Sequence, residues 1–277
     1  MNLIFREGCL LLIFLFVLKY QLILAQNRIV NGKEARISDH PYMARLVIPR
    51  INGFPGTCGA SIIGKEWLLT AAHCFQDGNV DKKNVIAITG TGHLRLFPET
   101  RAQYNIAEFI LNKNFIGIEN TTDFNNITAR GDIAVLKLAK PIEYNRFTQP
   151  IKLPEKNQPL PASATVAGWG AIQPGNSVVF GLRSVTVPKI DIEACKKKYA
   201  QIPAYLAKLD EICYSRQLGG ENSQDKCSGD SGGPLVSPQK IQIGIVSWGI
   251  ACGTRGYPGV YSNVMYYRDW IKEKTGI

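Results

Sequence analysis

The sequence predicts an all-β fold in two halves with a helix at the end, and three observations carry that prediction. Short apolar runs recur along the chain with Gly, Pro, Asn and Asp between them, the pattern of strands joined by tight turns. Helical periodicity is scarce until the last residues. The runs also fall into two sets that divide near Pro150. The first set reads as strands over residues 44–48, 60–63, 67–70, 85–89, 107–110 and 133–138. The second reads as strands over 164–168, 183–188, 212–214, 235–236, 241–248 and 259–263. In 264–274, Val264, Tyr267, Trp270 and Ile271 recur at helical spacing and predict a packed terminal helix.

The length of 277 residues and a hydrophobic content of 45% allow one large or two small domains with a sizeable core. No internal repeat or low-complexity tract interrupts the chain. Residues 8–18 are uncharged and mostly apolar, behind Arg6 and ahead of Lys19, and Leu22-Ile23-Leu24-Ala25 follows. Residues 1–25 therefore read as a secretory signal peptide cut after Ala25. The rival, an uncleaved anchor, needs a run of about 18–20 apolar residues, longer than this one. No later segment is expected to span a membrane, so the mature chain is expected outside the cell.

Cys9 leaves with the signal peptide, and six of the seven cysteines remain. An even number in a secreted chain suits disulfides, whose connectivity the sequence alone leaves open among fifteen choices. No Cys-x-x-Cys pair or His cluster suggests a metal. The net charge is +10, of which residues 1–28 carry +2. Lys196-Lys197-Lys198 is a basic cluster ahead of an expected short helix through Leu209. It reads first as a solvated face and otherwise as an attraction for acidic proteins or sulfated polysaccharides. Nothing suggests nucleic-acid recognition.

The chemistry concentrates in the stretch from Asp225 to Pro234, where Ser231 stands among Gly229, Gly232 and Gly233. Glycines let the backbone turn amide groups towards one focus, which suits a nucleophile beside an oxyanion site. A serine hydroxyl needs a positioned base, and the base needs an orienting group. His73, one of three histidines, follows the apolar run Trp67-Leu68-Leu69, and Asp132 heads the strand-like run that follows. A buried carboxylate there would hold an imidazole tautomer. Taken singly, each residue has a plain structural reading, as a packed core histidine, a strand-end aspartate or a turn glycine. Their joint order and flanks do not.

With the order His73, Asp132, Ser231, the chain from Arg28-Ile29-Val30-Asn31-Gly32 to its last helix resembles the chymotrypsin/trypsin-like serine endopeptidases. The resemblance implies two packed six-stranded antiparallel β-barrels, roughly 29–145 and 146–263, with the C-terminal helix 264–274 and the site in the cleft between the barrels. It implies a catalytic triad of His73, Asp132 and Ser231, an oxyanion hole from the amides of Gly229 and Ser231, and the disulfides Cys58–Cys74, Cys195–Cys213 and Cys227–Cys252. Residues 26–28 match a short activation peptide: cutting after Arg28 frees the Ile29 amino group to pair with Asp230.

The resemblance also assigns a substrate pocket. Asp225 matches the base that selects Arg or Lys, Gly249 and Gly259 match its small walls, and Ser247-Trp248-Gly249 matches the segment that pairs with substrate backbone. Lys226 departs from the trypsin-like pattern. Bent into the pocket, its ammonium would pair with Asp225 at about 4 kcal/mol, which leaves chymotrypsin-like or unusual specificity as the alternative. Pointing to solvent, it leaves cleavage after Arg or Lys. No cofactor is implied, and the region of a calcium loop, residues 90–100, offers Glu99 as its only carboxylate. Asn120 and Asn126 begin N-glycosylation triplets. The implied partners are protein or peptide substrates, protein protease inhibitors and an activating protease, with the enzyme itself a monomer. An inactive protease-like binding protein is the less favoured class, since no triad residue is lost.

Overall fold

Strand β2 (Met43–Ile48), β3 (Gly56–Gly64), β4 (Trp67–Thr70), β5 (Ile86–Thr89), β6 (Ala102–Leu111) and β7 (Ala134–Leu138) close on one another in the order β2-β3-β4-β7-β6-β5 in the computed structural model. The structure describes residues 32–116, 130–171, 179–200, 210–216, 229–249 and 257–277. All pairings in this barrel are antiparallel, and closure leaves it no open edge. A second closed ring follows: β8 (Ser163–Gly168), β9 (Arg183–Ile190), β10 (Glu211–Tyr214), β13 (Gly259–Asn263), β12 (Gln242–Trp248) and β11 (Pro234–Val236), with β11 returning to β8. The expected pair of six-stranded antiparallel barrels is therefore present. A two-residue strand, β1 (Lys33–Glu34), adds to β9. The sequence reading missed it, because two exposed charged residues held only by backbone pairing carry no apolar signal.

Inward-facing residues fill both barrels. Leu46, Ile62, Leu68 and Leu136 lie in the first core, which continues into Trp169, Ile245, Val264 and Ile271 from the second half. Val166, Val187, Leu235 and Tyr261 belong to the core of the second barrel. The continuity of the first core across the halves fixes one barrel against the other, and the C-terminal helix seals the seam through Ile271.

The helices depart from the expected limits. The terminal helix, α2 (Arg268–Thr275), starts four residues later than expected because Val264 to Tyr267 form a turn in which the Asn263 side chain accepts from the Met265 amide. Gly276, at φ 78°, ends it in the left-handed conformation. The lysine cluster itself lies inside helix α1 (Ile192–Tyr199). Asp191 caps this helix by accepting from the amides of Glu193 and Ala194, and Lys196, Lys197 and Lys198 occupy its last turn, where the helix dipole favours cations. Residues 201–209 lie outside the described residues. Among those described, no helix is long and apolar enough to cross a membrane.

His40 lies beside β2, 7% exposed, its Nδ1 2.9 Å from the Tyr42 hydroxyl. Burial pushes its pKa from 6.5 down to about 4; Lys240 adds to that push and Asp39 opposes it. Between these values the unfolded chain takes up a proton that the native protein does not. Stability therefore falls as the pH drops through that window, by about 3 kcal/mol in all. Urea unfolding of His40→Phe is expected to show a flatter dependence between pH 6.5 and 4.

Candidate functional site

The seam between the barrels is built on a buried carboxylate. Asp132 stands two residues before β7, after Gly131 at φ 68°, and is 1% exposed. A charge so placed is costly unless donors surround it. The His73 amide donates to Oδ1 at 2.9 Å, the His73 ring Nδ1 lies 2.8 Å from Oδ2, and the Ser247 hydroxyl donates to Oδ2 at 2.5 Å. The Ser262 hydroxyl donates to the Asp132 carbonyl at 2.7 Å. Burial pushes the carboxyl pKa up, but the His73 ring and the hydrogen bonds from His73 and Ser247 outweigh it and hold the group below its ordinary range. Behind it, Asp210 accepts from the Gly131 amide at 3.4 Å and from the Tyr267 hydroxyl at 2.8 Å.

His73 lies in a 3-10 turn, Ala72–Phe75, directly after β4. The small buried Ala71 and Ala72 let this turn press into the core, and Cys74 is bonded to Cys58 in β3. The ring keeps 14% of its surface in solvent, so one edge meets Asp132 and the other faces outward. With Nδ1–H donating to the carboxylate, Nε2 is left as an acceptor, the state a general base requires. Cys58 and Cys74 crowd His73, but their sulfurs are joined to each other and offer no thiolate to a metal.

Ser231, half-buried, lies in a turn between β12 and β3. Its carbonyl accepts from the Gly59 amide at 2.7 Å and lies 4.0 Å from the disulfide-bonded Cys74 sulfur, next to His73. The Gly232 amide donates to Val246, and the Val246 amide donates back to Gly233. Gly232, at φ 77°, touches the first barrel so closely that a Cβ there would lie 2.2 Å from Thr70 Oγ1. Gly229 has φ 93°, a conformation open mainly to glycine. The adjoining Asp230 is 1% exposed; its Oδ1 accepts from the Gly170 amide at 2.8 Å.

Hydrogen bonds thus join His73, Asp132 and Ser247, and the turn of Gly229, Asp230 and Ser231 rests on Gly59 with the Ser231 carbonyl near Cys74. Trp248 is buried against Tyr199 and donates to Glu211 at 2.9 Å; Gly249 follows it, and Gly259 opens the neighbouring β13. Cys58–Cys74 and Cys195–Cys213 are bonded as expected. Arg28, Ile29, Asn120, Asn126, Asp225, Lys226, Cys227 and Cys252 lie outside the described residues. The sequence reading missed Arg45, Ser262, Asp210, Gly168 and Gly170. A charge inside the apolar run Met43–Ile48 and the Gly-Trp-Gly triplet at 168–170 were the only signals available.

Two comparisons bear on this arrangement. Residues 29–271 match the family model described as Trypsin. A curated trypsin from Phaedon cochleariae is 33% identical over 251 residues, covering 90% of this chain and 89% of its own.

The packing around Asp230 yields a stability prediction. A Cβ on Gly170 would lie 2.4 Å from the Asp230 carboxyl carbon. Gly170→Ala is therefore expected to displace a buried, hydrogen-bonded carboxylate and to cost about 1–3 kcal/mol in denaturant unfolding.

Proposed function

Since this chain belongs to the trypsin family and is a serine endopeptidase, we propose that Ser231, His73 and Asp132 form its catalytic triad and that it cleaves protein or peptide substrates through an acyl-enzyme. The observation that carries this reading is the buried Asp132 carboxylate bonded to the His73 ring, with the imidazole partly open to solvent and the Ser231 carbonyl held by the Gly59 amide near Cys74.

In this reading the Ser231 hydroxyl attacks the scissile carbonyl while His73 Nε2 takes its proton. The tetrahedral oxyanion binds the amides of Gly229 and Ser231, for which the positive φ of Gly229 is suited. His73 returns the proton to the leaving amine, and water repeats the sequence on the acyl-enzyme. Asp132 holds the ring by Nδ1 and balances the imidazolium. Because its carboxyl stays below the ordinary range, it remains ionised through neutral and mildly acidic pH.

Cleavage after Arg28 would free Ile29 to pair with Asp230, a zymogen step supported by the burial of that carboxylate against Gly168 and Gly170. Secretion is typical of the family and agrees with the apolar run at residues 8–18. Trypsin-like cleavage after Arg or Lys rests on Asp225, flanked by Lys226.

The test is hydrolysis of matched peptides ending in Arg, Lys, Phe or Leu by protein cut at Arg28. Turnover of Arg and Lys peptides is expected; turnover of Phe or Leu alone would place Lys226 in the pocket. Ser231→Ala is expected to lower kcat by about 10⁶-fold and Asp132→Asn by about 10⁴-fold. Activity retained in Ser231→Ala would overturn the reading.

A further inference from the structure

Arg45 is among the largest fully buried side chains of the protein, 2% exposed in the middle of β2. A guanidinium is always charged in practice and keeps five donors, so such a site is unfavourable unless partners face it. The partners come from the other end of the chain. Arg45 Nη1 donates to the Gly229 carbonyl at 3.2 Å, across 184 positions of sequence. Burial pushes the guanidinium down to about 10, and the nearby Asp230 carboxylate pulls it back up.

The register explains how the contact is reached. Arg45 pairs with Gly59 across β2 and β3. At Gly59 the turn containing Ser231 rests directly on the first barrel: its amide donates to the Ser231 carbonyl, and a Cβ there would lie 2.9 Å from the Gly233 Cα. The arginine and its glycine partner thus form one docking point. The glycine lets the turn approach, and the arginine grips the peptide between Gly229 and Asp230.

We infer that Arg45 is a positioning residue for the oxyanion-binding turn: it holds the Gly229–Asp230 peptide by its carbonyl. The inference rests on the proposed triad and oxyanion site. A peptide is planar, so fixing the Gly229 carbonyl also fixes where the Asp230 amide points and limits how the Gly229 backbone can turn. The bond to the Gly229 carbonyl needs no cut at Arg28, so the uncut chain keeps part of the turn in order.

The experiment compares wild type, Arg45→Met and Arg45→Lys, each uncut and cut after Arg28, with active sites counted by a fluorophosphonate that labels Ser231. For cut Arg45→Met, kcat per labelled site is expected to fall at least tenfold with KM within twofold. Affinity for a peptide aldehyde, whose adduct carries the oxyanion, is expected to fall by the same factor, while affinity for the product peptide stays constant. Arg45→Lys is expected to recover most of the loss. In the uncut chain, labelling of Ser231 is expected to slow further in Arg45→Met than in wild type.

Unchanged kcat and aldehyde affinity in a folded Arg45→Met, even with a lower Tm, would overturn the inference while leaving the triad reading intact. Should that variant not fold, Arg45→Gln, which keeps a donor without the charge, is read by the same split: a fall in kcat and aldehyde affinity supports the inference and unchanged values overturn it. Wild type that is cut, folded and neither labelled nor active would overturn the triad reading, and this inference with it.

Discussion

A single buried carboxylate holds the two barrels to a common centre. The donors around Asp132 come from both halves: His73 from the first barrel, and Ser247 and Ser262 from the second. Removing any of them leaves a charge or a carbonyl short of a partner in a place without solvent, where a lost hydrogen bond costs more than at a surface. The closure of the first barrel, the turn that presents His73 and the approach of β12 are all bound by this requirement. The seam is thereby specified by direction as well as by apolar contact, since hydrophobic packing alone would tolerate small rotations of one barrel on the other.

The second constraint is the absence of side chains where the halves touch. A Cβ on Gly59 would collide with Gly233 in the turn around Ser231, and one on Gly232 with Thr70 and the Gly59 carbonyl of the first barrel, while Gly168 and Gly170 leave the same room for Asp230 within the second half. These contacts set backbone against backbone, against the Thr70 hydroxyl or against the Asp230 carboxylate. They leave little slack, because no long side chain lies between them.

Much of the fold was legible because strand signals are local. The runs 67–70 and 259–263 match β4 and β13, and most others differ only by the residues at their ends. Where pairing continued past the apolar residues, as in β3 and β6, the sequence understated the strand. His73, Asp132 and Ser231 were legible through their order and flanks. Arg45 was not, since its meaning depends on a contact across 184 positions, and the pattern Met43–Ile48 only marks it as an exception. Asp210 was hidden for the same reason: its partners Gly131 and Tyr267 lie far apart in sequence.

The irregularity in β12 has a mechanical consequence. The register of β12 on β13 shifts between Val246 and Trp248, and Ser247 is the residue in the shift. Its hydroxyl is committed to Asp132, while Trp248 beside it is anchored against Tyr199. The strand therefore works as a short lever with its far end clamped. An extended chain pairing with the backbone here would lie against the one residue whose hydroxyl holds the carboxylate that in turn holds the imidazole.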